Sequence, residues 1–392
     1  MREEWSLETR SVHLPGEREI DDGLVPPIHQ ISTFQLKSAA DAAEKAASTH
    51  PERFYTRWGN PTVQILENAV AEMERGEKAL ASASGMGAIS TTVLTLLEKK
   101  KHVVAGRPLY SATSELFTGV LSPYGVNCTF VDPTDPTNFG DATTSDTALY
   151  YVESPANPTL TLTDIRAVAE TGEARGVPLI VDNTFATPYN QNPLELGARV
   201  VIHSATKYLG GHLDATGGIL VADAEFFKKA WKTLETMGTS LSPFEAWLIL
   251  RGLRTFHLRM KRHNSNAQEV AEFLERQPSV DRVYYPGLEN SPQFVLARRQ
   301  MRGYGGMISF EIAGGYDAGR RFVESIGLCR LAVSLGGVQT LVEHPSSMTH
   351  GTLSEEEKRM GGISEGLIRI SVGIEHPTDI IADVSRALSS VG

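Results

Sequence analysis

Between residues 102 and 221 short apolar runs return at intervals with helical spacing between them, and that alternation limits the fold more than any other property of the chain. The runs at 102–106, 128–131, 148–152, 178–181, 200–202 and 219–221 are too short for helices and nearly free of charge, so each suits a strand buried on both faces. Amphipathic stretches near 111–122, 164–175 and 193–197 fall between them. Strands alternating with helices build a mostly parallel sheet covered on both sides, an α/β fold.

The flanks read differently. Residues 1–60 are polar and interrupted by Pro15, Pro26 and Pro27, which predicts an extended arm of the kind that packs on a neighbouring subunit. At Asn60 a helix begins: Asn60 can cap it, Pro61 suits its first position, and Ile65, Leu66, Ala69, Val70 and Met73 recur at helical spacing. A charge-free stretch, 79–97, is long enough to span a bilayer, but Ser82, Ser84, Gly85, Gly87 and Ser90 make it a buried strand-to-helix segment instead. A long helical pattern over 242–276 marks the domain boundary. The runs at 282–285, 307–311 and 367–372 then predict a smaller α+β domain, giving units of 61–250 and 251–392 behind the arm.

A formal net charge of -10 argues against nucleic acid and anionic membrane as partners. The first residues, Met1 to Trp5, lack the apolar core of a signal peptide, and the two cysteines cannot build a disulfide framework, so a cytoplasmic protein is expected. His212 and His350 have no spaced partner set, and no metal is expected. No phosphate loop of the GxxxxGK[ST] type occurs.

Against that background one lysine stands out. Lys207 lies in Ser204-Ala205-Thr206-Lys207-Tyr208-Leu209-Gly210-Gly211-His212, just beyond an apolar strand. A lysine so placed can form a Schiff base with pyridoxal 5'-phosphate, provided desolvation or nearby positive charge leaves part of it neutral. The Ser204 and Thr206 hydroxyls suit phosphate oxygens. Ser84-Gly85-Met86-Gly87 opens a helix whose free N–H groups favour an anion, although a tight turn before a buried helix fits the same residues. Asp182 ends an apolar strand, where ligands of open α/β sheets gather, and can pair with a protonated pyridine nitrogen or simply cap a loop. Tyr110 can stack on a flat cofactor or pack as an ordinary tyrosine. Tyr55 and Arg57 precede Gly59-Asn60-Pro61-Thr62 and read as phosphate ligands or as exposed arm residues. Arg369, in mid-strand between Ile368 and Ile370, needs a partner: a substrate carboxylate or a structural carboxylate.

Together these segments resemble the cysteine and methionine metabolism family of pyridoxal phosphate enzymes. The resemblance rests on Tyr55-x-Arg57-x-Gly59-Asn60-Pro61-Thr62, Ser84-Gly85-Met86, Asp182-Asn183-Thr184, the Lys207 segment and Ser334-Leu335-Gly336. Met348-Thr349-His350, Gly362-Ile363-Ser364 and the 367–373 segment extend it from about Thr9 to the C-terminus. It implies the aspartate-aminotransferase-like fold (fold type I) and a homotetramer of paired dimers. It also implies that Tyr55 and Arg57 reach the cofactor phosphate of the neighbouring subunit. Gly85, Met86, Ser204 and Thr206 would complete the phosphate site. Tyr110 would stack on the ring and serve as an acid-base group, Asp182 would hold the ring nitrogen, and Lys207 would be Schiff-base residue and proton shuttle. Ser334 and Arg369 would hold the substrate carboxylate.

The implied reaction is γ-elimination from a sulfur amino acid, releasing a 2-oxo acid, ammonia and a thiol. Members that handle cystathionine commonly carry acids where this chain has Phe54 and Val333, so the pattern resembles methionine γ-lyases. It departs from them at Ala112, where cysteine is usual, at Ser111, where glycine is usual, and at Leu234-Glu235, which replaces a Lys-Asp pair. Phe54, Ala112, Glu115 and Val333 would then surround the γ substituent. Cystathionine γ-lyase and γ-replacement by an O-acylhomoserine sulfhydrylase or cystathionine γ-synthase are the competing activities.

Overall fold

The computed structural model describes residues 5–15, 23–349, 351 and 355–391, so His350 lies outside the described residues. Its centre is a seven-stranded sheet built from β1 (Lys78–Ser82), β2 (His102–Gly106), β3 (Asn127–Val131), β4 (Thr147–Glu153), β5 (Leu179–Asp182), β6 (Val200–Ser204) and β7 (Gly218–Ala222). The order is β1-β7-β6-β5-β4-β2-β3. All neighbours from β6 through β3 are parallel, and β7 alone runs against both its partners. Every residue of β2 and β4 is buried, as expected for strands covered on two faces.

Capping fixes where the first covering helix starts. The Asn60 side chain accepts the Thr62 N–H at 3.0 Å, Pro61 occupies the first turn, and the Pro61–Glu74 helix ends at Arg75 in the left-handed region (φ 58°). Its Ile65, Leu66, Ala69, Val70 and Met73 enter a core with Ala79, Ala81, Ile219 and Val221 on one sheet face. Each fully buried large aliphatic there contributes about 1.5–3 kcal/mol. Gly85–Leu97 and Ala224–Met237 cover the other face through Ile89, Val93, Phe226 and Leu234. The 79–97 segment is thus strand β1 and a helix joined by a two-residue turn. Among the described residues no helix is long and apolar enough to cross a membrane.

Two expectations need correction. Residues 7–14 are not extended: Leu7–Val12 is a helix, Leu14 sits in the first core, and the Arg10 guanidinium donates to the Trp5 carbonyl at 2.8 Å. Among the described residues, arm-like character begins at residue 23, where Leu24 is 92% exposed and the Ala39–Ala47 helix buries nothing. The pattern over 242–276 is two helices, Pro243–Leu253 and Phe256–Glu275. The chain leaves helical geometry at Thr255 (φ -108°, ψ 5°), and close by a Cβ on Gly252 would come within 2.1 Å of the Gly210 carbonyl oxygen. The buried Arg259 takes up the Gly252 carbonyl at 2.8 Å at that point.

Beyond it lies a five-stranded sheet of β8 (Val280–Tyr284), β9 (Met307–Ile312), β10 (Arg330–Leu331), β11 (Leu341–Glu343) and β12 (Leu367–Ser371), in the order β10-β11-β12-β9-β8. It is antiparallel except for β10 with β11. Phe256–Glu275 and Pro377–Ser389 supply its core with Val270, Leu274, Ile380 and Val384. The short β10 and β11 carry too few residues to announce a period, which is why sequence reading passes over them.

Candidate active site

The C-terminal ends of β4, β5 and β6 open into a cavity of about 430 Å³, closed on its far side by residues 333–335 and Arg369. A larger cleft, about 930 Å³, lies at the opposite strand ends among Lys99, Arg166, Glu170 and Glu173. Those side chains are surface charges, whereas the smaller cavity gathers a buried amine, buried acids and an arginine. The chemistry belongs to the smaller one.

Lys207 follows β6 in a turn braced from behind. The Arg259 guanidinium donates to the carbonyls of Tyr208 at 2.7 Å and Leu209 at 3.3 Å. Gly336, at φ 79°, lets the 334–336 loop approach: a Cβ there would be 2.7 Å from the Tyr208 nitrogen. Lys207 Nζ donates to Ser334 Oγ at 2.6 Å. Ser334 itself has φ 81°, a left-handed conformation that costs a non-glycine residue of order 1 kcal/mol and marks a functional turn. Burial, then the Arg369 charge, lowers the lysine to about 8, against Glu343, which raises it. The amine is therefore partly neutral near physiological pH, the condition a Schiff-base lysine requires.

Asp182 closes β5. Its carboxylate accepts the Thr184 N–H at 2.9 Å, lies 3.5 Å from the Tyr151 hydroxyl, and is raised chiefly by burial. On the β1 side, Ser84 Oγ caps the Gly85–Leu97 helix by accepting the Gly87 N–H at 3.0 Å. A Cβ on Gly85 would meet the Ser204 Cβ at 3.0 Å, so glycine keeps open a cradle between the helix N-terminus and the Ser204 hydroxyl. Thr206 is held there by Gly217, accepting its N–H at 3.0 Å.

Arg369 rises from mid-β12 into the cavity wall, where a carboxylate of the chain is one of its partners. It pairs with the buried Glu343 carboxylate at 3.1 Å, and it also donates to Asn157 Oδ1 at 2.7 Å and the Ser334 carbonyl at 2.9 Å. Its Nε is buried and has no acceptor among the described residues.

Gly85, Met86, Tyr110, Asp182, Ser204, Thr206, Lys207, Val333, Ser334 and Arg369 all line the one cavity. Tyr55, Arg57, Phe54 and Ala112 do not line it within this chain. Arg57 instead binds the Glu235 carboxylate at 3.1 Å and lies over the Tyr55 ring, while Phe54 packs on Trp58 at 5.1 Å between centroids. Sequence reading missed Glu153, Asn157, Thr184, Thr349 and, behind the wall, Glu343 and Arg259. Glu153 was within reach of the rule that found Asp182, an acid at the end of an apolar strand. His212 Nδ1 contacts the Gly210 carbonyl at 2.8 Å, and among the described residues no group of three or more His, Cys, Asp or Glu can hold a metal ion.

The donor set fits pyridoxal phosphate: a partly neutral lysine, an acid for a ring nitrogen, and a glycine cradle with hydroxyls and helix N–H groups for a phosphate. The profile of the Cys/Met metabolism PLP-dependent enzymes matches residues 8–389. An L-methionine gamma-lyase of Pseudomonas putida is 46% identical over 97% of both chains. An O-succinylhomoserine sulfhydrylase of Pseudomonas aeruginosa is 42% identical over 92% of this chain and 89% of that one. The crystal structure of cystathionine gamma-lyase from Lactobacillus plantarum, complexed with L-serine, superposes with a TM-score of 0.92, 37% identity and 99% coverage of both chains. With lysine, acid and cradle in one cavity and the family pattern running through nearly all of its length, this chain belongs to the Cys/Met metabolism family of PLP-dependent enzymes.

Proposed function

We propose that the protein is a carbon–sulfur lyase that eliminates the γ-thiol of L-methionine or a homologue, giving 2-oxobutyrate, ammonia and methanethiol from methionine. The observation that carries this reading is the composition of the cavity wall. Around the lysine stand Met86, Ile89, Phe185, Val333 and Leu335, and no carboxylate precedes Ser334 to meet a distal ammonium group. A methyl thioether matches such a wall; a second amino-acid head does not.

Bound pyridoxal phosphate supplies an electron sink for charge left at the substrate α-carbon. Arg369 receives the substrate carboxylate through its free Nε, and Ser334 anchors it from the loop. Lys207 would hold the cofactor and, with its amine free, would take the α-proton at Nζ and return it elsewhere on the same face of the substrate. Asp182 keeps the ring nitrogen charged, while the amides of Gly85 and Met86 and the hydroxyls of Ser204 and Thr206 hold the phosphate. Tyr110, 45% exposed at the mouth, covers the ring and exchanges a proton with the leaving sulfur. Tyr55 and Arg57 serve the phosphate of a neighbouring subunit, with Phe54 beside them, in a homotetramer of paired dimers in the cytoplasm. The stretch from residue 23 supports that role, because its apolar Leu24, Val25 and Ile31 are exposed among the described residues, at 92%, 56% and 43%. The large unit spans 61–250 and the small one 251–392.

The test is incubation of the purified, cofactor-loaded protein with L-methionine, measuring 2-oxobutyrate and methanethiol together. Equimolar products are expected. A second reading, γ-replacement of an O-acylhomoserine, is favoured by Ala112, which departs from the lyase pattern. Turnover of O-acetylhomoserine with sulfide and none of methionine would overturn the first reading for the second.

A further inference from the structure

Glu153 is a buried acid in the same cavity as Lys207 to which the reaction outlined above gives no part. It ends β4 as Asp182 ends β5, and the two are paired residues in the parallel register. Both line the cavity. One Glu153 oxygen accepts the backbone N–H of Tyr110 at 2.8 Å; the other lies 3.4 Å from the Asn157 nitrogen. Tyr110 begins the short Ser111–Glu115 helix with no side-chain cap, so this bond ties the turn that carries its phenol to the sheet.

Two carboxyls side by side and out of water do not both ionise. Asp182 has the claim to the charge. Against the burial that raises it, Thr184 favours its ionised form with a backbone N–H and its side chain, and a protonated ring nitrogen would add to that. Asp182 from β5, Tyr151 from β4 and Tyr110 ahead of its helix face Glu153; the cations of the same cavity are Lys207 and Arg369, and the charge that acts on Glu153 is that of Asp182. Burial, then Asp182, pushes Glu153 up to about 8, while the Tyr110 and Asn157 N–H groups pull only partly the other way.

We propose that Glu153 is a positioning residue that holds Tyr110 over the cofactor ring as a neutral acid, leaving the negative charge of the pair to Asp182. Its carbonyl oxygen receives the Tyr110 N–H, which needs no ionisation. The protonated oxygen is the one at the longer distance from Asn157, where a carboxylate would be expected to draw the N–H closer. The inference rests on pyridoxal phosphate occupying the cavity, as the proposed function has it, but not on which amino acid is consumed.

Glu153→Gln and Glu153→Met separate charge from positioning. Glutamine keeps a neutral acceptor of the same length, whereas methionine keeps the volume and loses the acceptor. The readouts are visible circular dichroism, the pH titration of visible absorbance, cofactor affinity by dialysis, and kcat against KM. At pH 7 and below, where Glu153 is mostly neutral, Glu153→Gln is expected to match the parent within roughly threefold in every constant and to leave the pH titration in place. Glu153→Met is expected to weaken the visible dichroism and lower kcat roughly 10- to 100-fold with little change in KM, since a misplaced acid-base group costs turnover rather than binding. A glutamine variant whose pH titration is displaced at pH 7 and below shows that Glu153 is ionised there and overturns the proposal, whether or not the methionine variant folds. A folded methionine variant indistinguishable from the parent overturns it equally. Cofactor-loaded protein inert to methionine would sink the substrate assignment alone; protein that takes up no cofactor would sink both.

Discussion

The two sheets meet at one cavity and bring different things to it. The seven-stranded sheet is parallel where it matters, so the ends of β4, β5 and β6 point the same way and deliver Glu153, Asp182, Ser204 and the Lys207 turn to one rim. The five-stranded sheet is antiparallel around β12 and cannot gather strand ends. It offers instead one arginine from mid-strand, held by Glu343 directly opposite in register. Under the proposed function, the parallel topology concentrates the cofactor's ligands at an edge, and the antiparallel sheet contributes a single oriented charge for the substrate. The lesson is a division of labour that substitutions can break separately.

The largest expected effect is on the parallel side. Lys207→Ala should lose turnover by at least about 10³-fold, as removal of a group that acts as both covalent anchor and base does elsewhere. It should also lack the absorbance of a cofactor bound as a Schiff base. Retained absorbance would show that another lysine carries the cofactor.

On the antiparallel side the effect is first one of stability. Arg369→Met leaves Glu343 buried without its cation, and Glu343→Met leaves the arginine so; each should cost about 3–5 kcal/mol in denaturant unfolding. The double variant should lose less than the sum of the two, by roughly 1–3 kcal/mol. Strict additivity would mean that the pair does not interact.

A smaller effect follows from the lysine's titration. Its folded value, about 8, lies below the ordinary 10.5, so between those limits the unfolded chain binds more protons and stability rises with pH. Cofactor-free protein should therefore gain on the order of 3 kcal/mol relative to Lys207→Met as pH rises from about 8 to 10.5. Parallel pH profiles for the two proteins would contradict the buried, partly neutral amine.

The sequence showed the parallel half of this comparison well. Apolar runs between helical stretches announce buried parallel strands, and Lys207, Asp182 and Gly85 sit at the ends of such runs or at the helix start that follows one. The antiparallel half was harder to read. Arg369 is visible as a charge between isoleucines, but its partner Glu343 lies on a strand of three residues, too short to show alternation. Arg259 was hidden for another reason: on a long helix a buried arginine looks like any surface one until the carbonyls it serves are in place. Phe54 and Arg57 are partly buried and Tyr55 is exposed within one chain, but the three line no part of the cavity there, so neither periodicity nor the fold of a single subunit assigns them to it. Residues 7–14 were misread because three prolines and many polar residues nearby masked a helix of only six residues.

The division of labour meets its sharpest test in Arg369→Lys, which keeps the charge beside Glu343 and removes the fork. Titration of the cofactor-loaded variant with L-methionine, followed by visible absorbance, reports cofactor and substrate at once. The account predicts an unchanged cofactor spectrum and affinity, with methionine bound at least about tenfold more weakly. Loss of cofactor from the variant, or methionine affinity equal to the parent's, would contradict it.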